Sequence, residues 1–240
     1  MTRRAVVFGA SGGIGAALAA QLCANPEFGE VWLGARKLPV SSAPSARPFA
    51  FDFADEASLA AAATQIGAGG ALDLVLVATG QLQAPGLPPP EKTLRALDPE
   101  NLAALFRVNA IGPAMIAKYF LPLLPRDRPA QFAVLSARVG SLGDNRLGGW
   151  HSYRAAKAAL NMLVVNFAIE MRRSHPQAVI AALHPGTVDT PLSAPFQSGL
   201  RNGQLQSPAA SAAALLDTLA QLSPADSGGL FAWDGERLAY

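Results

Sequence analysis

Apolar residues alternate along the chain between two patterns. Short runs rich in valine, leucine and phenylalanine alternate with longer alanine-rich stretches whose apolar positions recur at helical spacing. "RRAVVFG" reads as a buried strand and runs through a glycine-rich turn into the helical "IGAALAAQLCA". "EVWLGAR" and "RPFAFDFAD" predict two more strands, Glu56 to Ile66 a helix, and "ALDLVLVATG" the strongest strand of the set. A helix is expected over "ENLAALFRVNAIGPAMIAKYFLPLL", with Pro113 as an irregularity. "AQFAVLSA" predicts a strand, Ser152 to Arg173 a long helix, "AVIAALHPG" a strand, "SPAASAAALLDTLAQL" a helix and "GLFAWDG" a short strand. Strands separated by helices imply an α/β fold, a doubly wound parallel sheet with helices on both faces. No repeat and no long linker divides the chain. The proline-rich "APGLPPPEK" and "SSAPSARP" read as loops, so residues 1–240 are expected to form a single domain. Function in such a sheet is expected at the carboxyl ends of the strands, near the topological switch.

Composition narrows the chemistry. Half of the 240 residues are hydrophobic and 15% are charged, enough for a sizeable core. Nineteen basic and 17 acidic side chains leave a formal charge of +2, which argues against a nucleic-acid groove or an anionic membrane surface. Cys23 is the only cysteine, so no intrachain disulfide and no cysteine-based metal site can form; within "AALAAQLCA" a buried helical thiol is expected. Three scattered histidines do not outline a metal site. His151 is placed on a loop or helix cap that could border substrate, His175 as a helix-end cation, and His184 as structural. The basic N-terminus is followed by too short an apolar run for a secretory signal, and Ala57 to Leu72 is too polar to span a bilayer. A cytoplasmic location is the simplest expectation.

The first strand ends in "GASGGIGAAL", where Gly9, Gly13 and Gly15 follow a G-x-x-x-G-x-G spacing. Gly9 permits a sharp exit from the strand, Gly13 lets backbone approach a pyrophosphate, and Gly15 lets the helix pack close. Ser11, Gly12 and Ile14 complete the turn, and amides at the helix N-terminus would face the phosphates. The second strand ends in "LGARK", with Arg36 and Lys37 where a carboxylate would bind a free 2′-hydroxyl. A guanidinium suits a 2′-phosphate through bidentate hydrogen bonds, so NADP, with NADPH over NADH, is expected.

One of only three tyrosines, Tyr153, lies four residues before Lys157 in "HSYRAAKAAL". That spacing stacks the two on one helical face. A phenol has a pKa of about 10 in water, and a neighbouring ammonium lowers it toward neutrality, giving a usable proton donor.

Taken in order, "GASGGIG", "FDFAD", "VATG", "VNAIGP", "SARVGS", "YRAAK" and "HPGTVDT" resemble the motifs of the classical short-chain dehydrogenases/reductases. "SARVGSLGDNRLGGWHSYRAAKAALNML" further resembles the C-factor-like branch. The resemblance implies a Rossmann-type fold and an oxidoreductase acting between an alcohol and a carbonyl. It implies that Tyr153 protonates the carbonyl oxygen, that Lys157 binds the nicotinamide ribose and tunes the phenol, and that Asn109 supports a water-mediated relay to the lysine. Asp52 and Phe53 match the pair that contacts adenine. Ala78, Thr79 and Gly80 stand where the family often has Asn-Ala-Gly, and Pro185, Gly186, Val188 and Thr190 match the segment around the nicotinamide amide and diphosphate. One departure concerns the catalytic serine, whose position is taken by Ala137. Ser136 is the preferred carbonyl-orienting residue and Ser141 the alternative. In a regular strand Ser136 faces away from position 137, and a bulge or shifted strand end would restore it. The loop from Ser141 to Trp150 is longer than the family's usual one and is expected to shape the substrate pocket.

These readings lead to an NADPH-dependent reductase of a small carbonyl. Two alternatives stand beside it: a nucleotide-binding signalling or sensor protein with little turnover, and the same fold using another cofactor. Trp150, Phe196 and Trp233 are candidate pocket residues. "PLSAPFQSGLRNGQLQSP" is expected to cover the substrate, its Leu192, Pro195 and Phe196 favouring an apolar or aromatic carbonyl. The family's habit of associating through the Tyr–Lys helix points to a homodimer or homotetramer, with Ala158, Ala159, Met162 and Val165 available for packing.

Overall fold

A computed structural model describes residues 2–83, 86, 88–201 and 203–240. Ala84, Pro85 and Leu87 of the first proline-rich loop, and Asn202 of the expected covering segment, lie outside the described residues. The elements run β1 (Arg3–Phe8), α1 (Gly13–Ala24), β2 (Phe28–Ala35), β3 (Ala46–Ala50), α2 (Glu56–Gly67), β4 (Leu74–Val77), α3 (Pro99–Phe106), α4 (Gly112–Phe120), β5 (Ala130–Leu135), α5 (His151–Met171), β6 (Ala178–His184), β7 (Thr187–Val188), β8 (Leu205–Gln206), α6 (Pro208–Gln221), β9 (Leu230–Ala232) and β10 (Arg237–Leu238). Strand order in the main sheet is β10-β9-β6-β5-β4-β1-β2-β3, parallel except for β10. The order reverses between β1 and β4, which places the switch crevice above their carboxyl ends.

Alternation along each strand feeds two cores. Val6, Phe8, Val75, Val77, Phe132 and Ile180 face one side, against Leu59 and Ile66 of α2, Ile116 and Phe120 of α4, and Leu160 and Val164 of α5. Ala5, Val7, Leu74, Leu76, Ala133 and Val179 face the other, against Leu18 and Leu22 of α1 and Leu215 and Leu219 of α6. Both faces are covered by helices, which is why these strands read as continuous apolar runs.

The structure departs from the sequence pattern in several places. β3 stops at Ala50 because Asp52 Oδ1 accepts the Ala54 amide in a turn, after which Asp55 caps α2 through the Ala57 amide. The irregularity expected at Pro113 falls just before it, as a π turn over Arg107–Ile111 in which the Gly112 amide reaches back to the Arg107 carbonyl. Pro113 has no amide for the Asn109 carbonyl and its ring crowds that oxygen, so the helix widens there. The β7–β8 pair and β10 have only two residues per strand and leave no periodic trace.

Candidate active site

The glycine turn is built as the spacing requires. Gly9 sits at φ +83°, and a Cβ there would lie 2.9 Å from the Ala78 carbonyl carbon. A Cβ on Gly15 would strike the Gly9 carbonyl oxygen, so α1 packs directly against the turn. Gly12 caps α1 without a side-chain hydrogen bond, and no acidic residue lies in the first turn. The first-turn amides thus have neither an intrahelical partner nor a side-chain cap, which suits a diphosphate.

From this turn a cavity of about 630 Å³ opens along the carboxyl ends of the strands. Ser11, Gly12, Gly13 and Ile14 line its first part, with Ala78, Thr79 and Gly80 beyond β4 and Pro185, Gly186, Val188 and Thr190 beyond β6. Tyr153 and Lys157 stand on its floor, and Leu82, Ala137, Val139, Trp150, Leu192 and Phe196 close its far end. Gly9 and Gly15 shape the turn without touching the wall. Arg36, Asp52 and Phe53 also lie off the wall. Arg36 and Lys37 are exposed just past β2, at the carboxyl edge beside the turn, where the Gly9 and Ala10 amides both bond the Gly34 carbonyl. Asp52 is exposed, and the Phe53 ring packs on Gly112. Pro195 and Trp233 are not on the wall either; the Trp233 indole lies against Gly186.

Both members of the Tyr–Lys pair are buried. The Lys157 ammonium donates to the Leu135 carbonyl at 2.8 Å and lies 5.8 Å from the centre of the Tyr153 ring. Burial pushes the Tyr153 phenol up and the Lys157 ammonium down to about 7. Desolvation thus moves the phenol in the direction opposite to the lowering expected from its neighbour. Asn109 is fully buried on the π turn: its Nδ2 donates to the Leu105 and Gln81 carbonyls, at 3.0 and 2.7 Å, and its Oδ1 accepts the Gln81 amide at 3.0 Å. A Cβ on Gly80 would lie 3.6 Å from Asn109 Oδ1 and 3.9 Å from Lys157 Nζ, so both groups converge on the bend after β4.

Ser136 lies on the cavity wall just past the end of β5, and its hydroxyl donates to Asn161 Oδ1 at 2.6 Å. Ser141, the alternative, accepts the Asp144 amide within its own loop. His175 is not a helix-end cation. It is buried, its Nδ1 pairs with Ser174 Oγ at 2.8 Å, and burial together with Arg126 lowers its pKa. His184 borders the cavity, and its buried Nδ1 has no hydrogen-bond partner among the described residues. Cys23 is half-buried, and burial raises its thiol pKa.

The start of α5 joins a residue expected from the sequence, Trp150, to one that the sequence did not single out, Glu91. Trp150 has left-handed backbone, φ 51°, and its ring packs edge-on against Tyr153 at 6.4 Å and Phe196 at 5.0 Å. Glu91 is 2% exposed and its carboxylate takes hydrogen bonds from Ser152 and Asn101. Glu91 lies in a proline-rich loop sixty-one positions before Ser152, and no local spacing signals the contact. Among the described residues no helix is long and apolar enough to cross a membrane.

Comparison with known proteins gives a consistent family. The family model described as short chain dehydrogenase matches residues 3–200. The 1-hydroxy-2-glutathionyl-2-methyl-3-butene dehydrogenase of a Rhodococcus species is 33% identical over 145 residues, 60% of this chain and 61% of that one. The match thus spans less than two thirds of that relative's length. C-signal of Myxococcus xanthus is 32% identical over 60% of this chain and 81% of its own. The NADPH-bound carbonyl reductase from chicken fatty liver superposes with a TM-score of 0.83 at 26% identity, covering 100% of this chain and 99% of that one. With the family model spanning β1 through the segment beyond β7, the chain belongs to the short-chain dehydrogenase family.

Proposed function

We propose that the chain is a single-domain, NADPH-dependent carbonyl reductase whose proton donor is Tyr153. The observation that carries this reading is the continuous cavity joining the glycine turn to the buried Tyr153–Lys157 pair. When bound, the dihydronicotinamide supplies a hydride to the carbonyl carbon. The uncapped first-turn amides of α1 bind the diphosphate, the segment Pro185 to Thr190 holds the nicotinamide end, and Asp52 and Phe53 flank the adenine end. Arg36 reads the 2′-phosphate from the edge of the turn. Tyr153 gives its phenolic proton to the carbonyl oxygen. Its raised pKa keeps it protonated, the form that reduction requires. Lys157 bonds the ribose and, with Asn109 through water, returns a proton to the phenolate.

The walls around Tyr153 are Leu82, Val139, Trp150 and Phe196, which fit an apolar or aromatic aldehyde or ketone. On α5, Met162 is 62% exposed and Ala158, Ala159 and Val165 are half-buried, a face through which two copies would associate into a homodimer or homotetramer. NADPH oxidation against a panel of aromatic and aliphatic carbonyls tests the reading; clear preference for charged substrates, or no turnover, counts against it.

A second reading is favoured by one observation. Ala137 has no hydroxyl, and the Ser136 hydroxyl, on the same wall, donates to Asn161 Oδ1 and so offers Tyr153 no free proton. A nucleotide-binding signalling protein with little turnover would tolerate that, and C-signal is among the similar proteins. Calorimetry showing NADPH binding without activity across the panel would support it.

A further inference from the structure

We propose that Glu91 is a positioning residue that sets the proton donor and the aromatic wall of the pocket together, by clamping the N-terminus of α5 from a distant loop. This inference rests on the reading of Tyr153 as the acid. The Glu91 carboxylate accepts the Ser152 amide through Oε2 at 3.3 Å and the Ser152 hydroxyl through Oε1, which also accepts Asn101 Nδ2 at 3.0 Å. Its main-chain carbonyl accepts the Trp150 amide. One residue thereby bonds both the cap and the second position of the helix that carries Tyr153 on its third. Asn101 brings α3 into the same joint, and α3 is itself capped by Asp98.

Chemistry explains why a carboxylate is needed there. α5 begins without an acidic residue in its first turn and without a side-chain cap of its own, because Trp150 occupies the cap position. A helix N-terminus carries partial positive charge, and a buried carboxylate beside it gains charge-assisted hydrogen bonds. Among the described residues no cation forms an ion pair with Glu91, and its carboxylate accepts from Ser152 and Asn101. The amide of glutamine would present two hydrogens to a site furnished with donors, so charge and acceptor count both matter. The bond to the Trp150 amide helps hold that residue in its left-handed conformation, and the indole packs on Tyr153 and Phe196. Losing the carboxylate's hold on Ser152 loosens the loop that also presents the Trp150-bonding carbonyl, so the phenol and one pocket wall are freed together, while the glycine turn, at the start of α1, is untouched.

The test compares Glu91→Gln and Glu91→Asp with wild type in three measurements. Hydrogen exchange over residues 149–154 reports the clamp irrespective of turnover, fluorescence titration reports the NADPH Kd, and steady-state kinetics with 4-nitrobenzaldehyde reports kcat and KM. Expected for Glu91→Gln are faster exchange over 149–154, kcat lower by about tenfold or more, and an NADPH Kd within about twofold of wild type, with Glu91→Asp recovering part of kcat. Unchanged exchange overturns the proposal, as does faster exchange with kcat intact, or a parallel loss of kcat and NADPH affinity. If Glu91→Gln does not fold, Ser152→Ala decides: a several-fold loss of kcat with the NADPH Kd intact supports the clamp, and unchanged kcat refutes it. Tyr153→Phe separates the two claims. Full activity in that variant, or no wild-type turnover, removes the reading of Tyr153 as acid, whereas the exchange measurement still judges the clamp.

Discussion

The Ser136 hydroxyl donates to Asn161 Oδ1 at 2.6 Å, tying the end of β5 to α5 two turns beyond Tyr153. Both side chains are buried, and Asn161 Nδ2 turns toward the Gly140 carbonyl at 3.4 Å. This hydrogen bond gives Ser136 a structural tie between strand and helix. Ser136→Ala leaves a buried acceptor unsatisfied and is expected to lose about 1–3 kcal/mol of stability with kcat little changed. Denaturant unfolding and steady-state kinetics of the same sample check this, and a kcat loss of about a hundredfold with stability intact would place Ser136 in the catalytic set.

Tyr153→Phe removes the proposed proton donor while keeping the ring against Trp150. Turnover is expected to fall by about 10²–10⁴-fold with NADPH affinity intact. Single-turnover NADPH oxidation measures it, and retained turnover would show that another group supplies the proton.

Arg36→Asp places a carboxylate where the proposed 2′-phosphate lies. A charge-assisted contact contributes about 1.5–3 kcal/mol, so NADPH affinity is expected to drop by about tenfold to a hundredfold, with NADH changed much less. Equal losses for both cofactors in a binding titration would assign Arg36 a structural role.

Two largely desolvated bases, the half-buried His184 and the buried Lys157, make stability depend on pH in the same direction. Burial holds His184 to about 4, below its ordinary value of 6.5, so between those values the unfolded chain takes up a proton that the folded chain refuses. Stability is lost as pH falls through that window. Lys157 behaves likewise in a higher window, from its ordinary 10.5 down to about 7, so stability rises as pH increases across it. Lys157→Met is expected to flatten the alkaline rise and His184→Asn the acid fall, read from urea midpoints across pH. A wild-type profile flat in both windows would contradict the burial of these groups.

Met162→Glu puts a charge on the exposed face of α5. Wild type is expected to scatter light as a homodimer or homotetramer and the variant as a smaller species. A wild-type monomer at micromolar concentration would reject the association.

Much of this arrangement was legible because it is local. Tyr153 and Lys157 are one helical turn apart, Gly9 to Gly15 span a single bend, and the apolar runs of β1, β2, β4, β5 and β6 match helices on both sides. What escaped depends on distance or on burial. Glu91 meets Ser152 across loops that have no period. The partner of Ser136 is set by how α5 lies on β5, and the lowered pKa of His175 by burial that its helix-end position does not reveal. The pocket residues divide the same way: Trp150, Leu192 and Phe196 reach the wall, while Pro195, on the turn over Ala194–Gly199, and Trp233, whose indole lies against Gly186, do not.

The left-handed backbone at Trp150 has a consequence for reshaping the pocket in the laboratory. Its φ of 51° follows two glycines that are also left-handed, Gly148 at 61° and Gly149 at 66°. A library randomised at position 150 therefore selects on backbone tolerance as well as pocket volume. Glycine and asparagine enlarge the cavity and relax the chain together, whereas valine and isoleucine enlarge it at a strain of about 1–2 kcal/mol from the same dihedral. Variants accepting bulkier carbonyls should be dominated by the first pair, although the second is closer to tryptophan in hydrophobicity. Intuition trained on side-chain size alone would choose the reverse.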